Sequence, residues 1–343
     1  MPKPLAEQHP ELVHYTSAAG LAGILKSQTL WATHYSFLND ATEVKHWFES
    51  RFPEHIRTIV KKFLEKLGQN NQVYIDLITK YGKESEVISH LSSTILDSTL
   101  DRLLLGSENG REPMAEPYII SFCTVENVND RVYQNGLLSQ WRGYGPDGGY
   151  AVVFDTSGLS KLLEKVSIQW RGACELFGGD IVYSSDIGES YFNEFGDDLS
   201  KIEEFFLDHL NCIEEPRNQD KIYAALMFCA CRYKHWGFEE ENEVRIVIIP
   251  NSNEVNNIAR NDGISVNDIP RKHYERSGKN IPFIELFEGI TSPPANTLPI
   301  RRIIVGPSGN PDEKIKRVRS VEIMLNHHGV DAEVSASEIP YIC

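Results

Sequence analysis

No stretch of this 343-residue chain is apolar over the roughly 18 residues that a membrane-crossing helix needs. The opening Met1-Pro2-Lys3-Pro4 also lacks the apolar segment of a secretory leader. Both absences lead to the expectation of a soluble, cytoplasmic protein with no membrane partner. An excess of positive charge is missing too: 34 Lys and Arg stand against 49 Asp and Glu, a formal net charge of −15. That excludes a uniformly basic surface of the kind that coats nucleic acid, though not a local basic patch. Cysteine is scarce. The six (Cys123, Cys174, Cys212, Cys229, Cys231 and Cys343) show no disulfide-scaffold rhythm, which fits a reducing compartment. Cys229-x-Cys231 has half of a metal-site spacing, but Ala224 to Phe228 before it reads as a buried helix. Residues two apart on a helix diverge by about 200°, and no second half of a zinc pattern follows, so no metal is expected. Internal repeats and low-complexity segments are absent as well.

What remains is an ordinary globular composition, 41% hydrophobic and 24% charged. The length suits two domains or one domain with large insertions. Leu12 to Thr16 reads as a strand, Ser17 as the cap of an apolar helix Ala18 to Leu25, and Leu30 to Thr33 as a second strand. From Glu43 to about Leu105 apolar residues recur at helical spacing, Val60, Phe63, Leu64 and Leu67 forming one stripe. Tyr118 to Thr124, Gly149 to Phe154 and Ile181 to Tyr183 are β-prone, and Leu137 to Tyr144 is a short helix. Glu203 to Ile213 and Ile222 to Trp236 read as a second helical insertion. Strands follow at Glu241 to Ile249, Ile281 to Leu286, Ile300 to Val305 and Ala332 to Val334, with an amphipathic helix from Glu313 to His328. The irregular spacing of strands favours α+β over a doubly wound sheet. One domain spanning 1–343 is expected, with helical insertions at about 44–112 and 187–236.

Several groups of residues carry chemical potential. Glu241-Asn242-Glu243-Val244-Arg245 opens an apolar strand; strict alternation would place Glu241, Glu243 and Arg245 on one face, the two carboxylates about 7 Å apart. His14-Tyr15-Thr16 interrupts an apolar strand with polar groups, and Ser121-Phe122-Cys123-Thr124 ends another in hydroxyls. Each alone is explained by a charged sheet end, a core histidine or local backbone hydrogen bonds. Asn39-Asp40-Ala41-Thr42-Glu43 is a helix cap in its simplest reading. Trp141 and Tyr144 stand at i,i+3, favouring core packing over stacking on a base. A rival constellation, Ile303 to Pro311, is a strand, a glycine-bearing loop and a helix start that could cradle phosphate. It lacks the Gly-Lys-Ser/Thr ending of a P-loop, and an ordinary tight connection explains it better. The helix after it carries a basic cluster, Lys314, Lys316, Arg317 and Arg319.

In this order the first three groups resemble the ADP-ribosyltransferase superfamily: a His-x-Thr strand, a Ser-Phe-x-Thr strand and a Glu-x-Glu strand. The chain is also similar to a bacterial family of unassigned function, marked by His14-Tyr15-Thr16, Asn39-Asp40-x-x-Glu43, Ser121-Phe122, Trp141-x-x-Tyr144 and Glu241-x-Glu243-x-Arg245. The resemblance implies a split β-sandwich that binds NAD as substrate, cleaves it at the nicotinamide–ribose bond and passes ADP-ribose to a macromolecular acceptor, nucleic acid or protein. It implies catalytic roles for Glu243 at the sugar and Glu241 at the acceptor. His14, Tyr15, Thr16, Ser121, Arg245 and Tyr144 would bind NAD, with His14 at the adenosine ribose and Thr16 bordering the nicotinamide. Arg245 would be either a pyrophosphate clamp or the counter-ion of a glutamate. Glu243 is not expected to carry the fold. The biological setting implied is a toxin or defence effector, with an antitoxin or inhibitor protein as partner. The alternative from another class is a non-catalytic module of the same fold that binds a nucleotide or RNA.

Overall fold

The structure, a computed structural model, describes residues 5–38, 41–103, 116–124, 131–144, 148–184, 226–292 and 297–340. The β-type run read in the opening residues becomes strand β1, Glu11–Thr16. Ser17 caps the helix Ala18–Ser27 by accepting the Gly20 N–H at 3.2 Å. That helix ends at Gln28, a non-glycine residue in the left-handed region with φ 55°. Such a conformation costs about 1–2 kcal/mol, and here the buried side chain offsets it. Its Nε2 donates to Leu25 O at 2.9 Å, and its Oε1 accepts the Leu298 N–H at 2.9 Å. Strand β2, Leu30–His34, then returns along the sheet.

Among the described residues, ten strands form one mixed sheet. After β1 and β2 come β3 (Tyr118–Cys123), β4 (Tyr150–Asp155) and β5 (Cys174–Asp180). β6 (Val182–Ser184) and β7 (Tyr233–His235) stand apart as a parallel pair. β8 (Glu243–Pro250), β9 (Arg271–Arg276), β10 (Lys279–Leu286), β11 (Ile300–Val305) and β12 (Glu333–Ala336) complete the sheet. The spatial order is β12-β11-β4-β1-β3-β2-β10-β9, with β8 on β3 and β5 on β8. A large mixed sheet with helices packed on it bears out the α+β class.

β3 is the branch point. Along one edge it pairs with β8 over its whole length, from Tyr118↔Ile248 to Cys123↔Glu243. Along the other edge it meets β1 at Val13↔Cys123, and β2 at Thr33↔Ile119 and His34↔Tyr118. Between these points, over Ile120 to Phe122, β1 and β2 part. The sheet opens there.

Each face of the sheet has its own core. Leu12, Ile120, Phe122, Val152, Val244, Ile246 and Ile248 pack against the helices Ala18–Ser27, Thr156–Gln169 and Pro311–His328. Ile119, Val247 and Ile249 turn to the other side, against Val44, Trp47, Phe48, Phe52, Ile56 and Ile59 of the helical segment and against helical residues 226–231. Every residue of β8 is therefore buried, its apolar run from Ile246 to Ile249 against both cores.

The second helical insertion is only partly as expected. The helix read as Ile222 to Trp236 stops at 231, and β7 follows at once. β5, β9 and the helices Thr156–Gln169 and Asn253–Asn261 are additions to the sequence reading. Residues Asn39 and Asp40, the Glu43 side chain, Glu203 to Ile213, Cys212 and Cys343 lie outside the described residues. Among the described residues no helix is long and apolar enough to cross a membrane.

Candidate functional site

Where β1 and β2 part, a cleft of about 830 Å³ opens, and β3 forms its floor. His14, Tyr15, Thr16, Ser121, Tyr144, Glu241, Glu243 and Arg245 all border it. Residues chosen from four separated stretches of sequence thus share one concavity.

Its charged corner is a buried cluster. Arg245 grips Glu243 through both oxygens, with Nε 2.6 Å from Oε1 and Nη2 3.2 Å from Oε2, while its Nη1 donates to Cys231 O at 2.6 Å. Of the two roles open to Arg245, the geometry takes the counter-ion. Lys234 of β7 adds its ammonium, 3.0 Å from Glu243 Oε2 and 2.7 Å from Glu241 Oε2. The Ser121 hydroxyl also donates to the Glu243 carboxylate. Burial alone would raise the pKa of Glu243. The charges of Arg245 and Lys234, with the hydrogen bonds of Arg245 and Ser121, outweigh it and hold the group at about 2.

The two glutamates do not sit one pleat apart on a strand. Glu241 ends the 3-10 helix Trp236–Glu241, Asn242 is left-handed at φ 42° and ψ 59°, and β8 begins only at Glu243. Asparagine is among the side chains that tolerate this conformation. Thr124, the last residue of the Ser-Phe-Cys-Thr motif, pins the turn by donating its N–H at 2.9 Å and its Oγ1 at 3.0 Å to Asn242 O. The carboxylates converge because the turn folds both onto one ammonium. Glu243 is also structural, since it closes a buried pair with two cations, and loss of one partner from such a pair is strongly destabilising.

His14 sits at the branch point, its Nδ1 3.0 Å from Ser121 O, and burial lowers its pKa against the smaller raising effect of that bond. Tyr15 borders the cleft but spends its side chain on the core. Its hydroxyl accepts the Leu137 N–H at 2.7 Å and its ring meets Trp141 edge-on at 4.9 Å. The aromatic pair on the helix Leu138–Tyr144 divides: Trp141 is buried, its indole N–H donating to Asn135 O at 3.0 Å, while Tyr144 is 40% exposed at the cleft.

Sequence reasoning missed three contributors. Lys234 looks like the tail of a helix; its signal is charge balance, because two carboxylates on a buried strand need more than one arginine. Tyr183, on β6, accepts the Glu243 N–H at 2.7 Å. Trp31 is 45% exposed in the cleft wall, backed by the rings of Phe283 at 4.3 Å and Tyr274 at 5.3 Å, and its indole N–H donates to Glu285.

The rival loop is a packing joint. A Cβ on Gly306 would lie 1.5 Å from Gly148 O, so only glycine allows the two backbones to touch. Arg317 of the basic cluster closes the joint, donating to Gly149 O at 2.7 Å. The helix Pro311–His328 is capped by Asn310 and has Asp312 and Glu313 in its first turn, which disfavours an anion there. Cys229 and Cys231 are fully buried in the apolar cluster.

A family model described as a protein of unknown function (DUF2971) matches residues 140–246, just under a third of the chain. That segment runs from the helix bearing Tyr144 to the start of β8 and includes Lys234, Glu241, Glu243 and Arg245. No curated protein and no solved structure matches the chain. Similarity to known proteins therefore reaches a family whose function is unassigned, across the half of the cleft that carries its charged cluster.

Proposed function

We propose that the cleft binds NAD as a substrate, that the protein cleaves the nicotinamide–ribose bond, and that ADP-ribose passes to a macromolecular acceptor. The observation that carries this is the convergence of His14, Ser121 and Glu243 on one cleft at the parting of β1 and β2. On this view the opening is that of an ADP-ribosyltransferase-like split sandwich. Its volume lies within the range of roughly 300–1,000 Å³ common for small-molecule sites.

The residues divide the work. Glu243 stays ionised at neutral pH and supplies a fixed negative charge beside the sugar, where positive charge develops as nicotinamide leaves. Glu241, with 16% of its side chain exposed, lies on the solvent side of the pair and acts as general base toward the acceptor nucleophile. Neutral His14 donates its Nδ1–H to Ser121 O, which leaves Nε2 as an acceptor for a sugar hydroxyl. Tyr144 and Trp31 offer exposed rings to a planar base. The setting in keeping with this chemistry is a cytoplasmic toxin or defence effector.

A second reading, a nucleotide- or RNA-binding module without turnover, has one specific observation in its favour. A carboxylate has about four lone-pair sites, and Glu243 already meets Arg245 Nε, Arg245 Nη2, Lys234 Nζ and the Ser121 hydroxyl. Catalysis requires one donor to yield, and the neutral hydroxyl of Ser121 rotates away most cheaply. Incubating the purified chain with NAD and measuring free nicotinamide decides between the two. Release that disappears in Glu243→Gln supports cleavage. Saturable NAD binding without release favours the module, and neither binding nor release removes NAD as the ligand.

A further inference from the structure

Lys234 is a lysine in an unusual place. Its side chain is 2% exposed, and its ammonium meets partners on two elements besides its own strand. Glu241 Oε2 lies at 2.7 Å and the Phe238 ring centroid at 4.8 Å, both on the 3-10 turn, while Glu243 Oε2 lies at 3.0 Å on β8. An ammonium has three N–H groups, enough to meet both carboxylates at once. Arg245 secures Glu243 through both oxygens, so the lysine ties the turn to that anchored carboxylate. Two carboxylates this close repel unless a cation lies between them or one takes a proton. Among the described residues, two negative and two positive side chains meet in the cluster.

We infer that Lys234 is a positioning residue that holds Glu241 against Glu243, so that the acceptor-side and sugar-side carboxylates work from one cleft. Its chemical consequence rests on the ADP-ribosyl transfer proposed above; its geometry does not. Without the ammonium, Glu241 is the carboxylate that moves, because it ends a short turn and reaches solvent, while Glu243 keeps Arg245. Among the described residues, the other titratable groups facing the cluster are Tyr183 and Cys123, and Cys231 beside Arg245, all pushed upward, chiefly by burial, and neutral at pH 7.

The test uses the full chain as wild type, Lys234→Met, Glu241→Gln and the double variant, with methionine replacing the apolar stem but not the charge. Carbon-13 titration of glutamate carboxyl groups should show the Glu241 midpoint rising by one unit or more in Lys234→Met, a tenfold gain in proton affinity. Glu243 should remain the lowest-titrating carboxyl. In nicotinamide release, the double variant should be no worse than the poorer single variant. In denaturant unfolding, Glu241→Gln should restore part of the stability that Lys234→Met loses, because a charge of each sign then leaves together. An unmoved Glu241 midpoint, multiplied kinetic losses, or a double variant no more stable than Lys234→Met would each overturn the inference. If the wild type releases no nicotinamide, NAD cleavage fails while the titration and unfolding data still judge Lys234.

Discussion

The imidazole Nδ1 of His14 lies 3.0 Å from the carbonyl oxygen of Ser121, across the point where β1 leaves β3. A carbonyl can only accept, so the neutral ring carries its proton on Nδ1. The folded-state pKa of His14 lies below 6.5 because of burial, and that of His34 falls to about 4 through burial and then the charge of Arg271. Both groups bind protons more readily when unfolded. The stability they contribute is complete above pH 6.5 and is lost as the pH falls toward the folded values. Unfolding free energies measured from pH 8 to pH 4 should therefore decline below 6.5. His34→Gln should flatten part of that slope, by up to about 3 kcal/mol at pH 4; an unchanged slope would contradict the burial argument.

Glu243→Gln should lower nicotinamide release on the order of 100-fold or more, the usual effect of losing one preorganised electrostatic contact. It should also destabilise the protein by roughly 3–5 kcal/mol, because Lys234 and Arg245 lose a charged partner in a buried site. A folded-state pKa of about 2 against an ordinary 4.5 means that this stability is present above pH 4.5 and lost between 4.5 and 2. The acid limb of the wild-type stability curve should shrink by about 3 kcal/mol in the variant. Activity loss without any change in that limb would show that the buried pairs do not hold Glu243.

Glu241→Gln separates the two halves of the reaction. Under the proposed transfer, the sugar keeps its charge stabiliser in Glu243 while the acceptor loses its base. With NAD labelled in the adenosine half, incorporation of label into protein and nucleic acid of a cell extract should fall much further than nicotinamide release. Equal loss of both would make Glu241 a support for NAD binding instead.

Trp31→Ala should weaken binding of an adenine- or nicotinamide-bearing nucleotide by roughly 5- to 150-fold, the range expected for loss of a stacking ring. Trp47, Trp141 and Trp170 are buried, so quenching of fluorescence by AMP or nicotinamide mononucleotide reports mainly on Trp31 and Trp236. Quenching that survives in Trp31→Ala would take the ring out of the site.

Gly306→Ala should cost about 1–3 kcal/mol, the usual penalty of overpacking, because Gly148 O occupies the place of the new methyl group. Nucleotide binding should be unaffected. A variant as stable as wild type would mean that the joint relaxes without cost.

Apolar, β-prone runs make β1, β3, β4 and β11 legible in the sequence, because each has at least one apolar face that must be buried. β9 is not legible: Arg271-Lys272-His273-Tyr274-Glu275-Arg276 has no such face and is a strand only because β10 supplies six backbone partners. Lys234 escapes for a related reason, since the buried helix before it makes the whole stretch to Trp236 look continuous. The glutamate pair is legible as a pair, but a left-handed Asn242 brings the carboxylates together where strand alternation was expected to do so. Local pattern identifies the candidates; long-range pairing on β3 decides which of them meet.

The helix Ala18–Ser27 is a rod about 15 Å long, locked by Ser17 at one end and by the buried Gln28 at the other, and it is the covalent link between the two strands that frame the opening. The walls of the cleft and its charged floor thus belong to different parts of the chain. Changing the number of residues between Thr16 and Leu30 would resize the mouth while β3 and β8 kept Ser121, Glu243 and Arg245 in register. The span that frames the mouth and the charged groups at its floor thus lie on separate segments of the chain, joined across the cleft by His14 and Ser121.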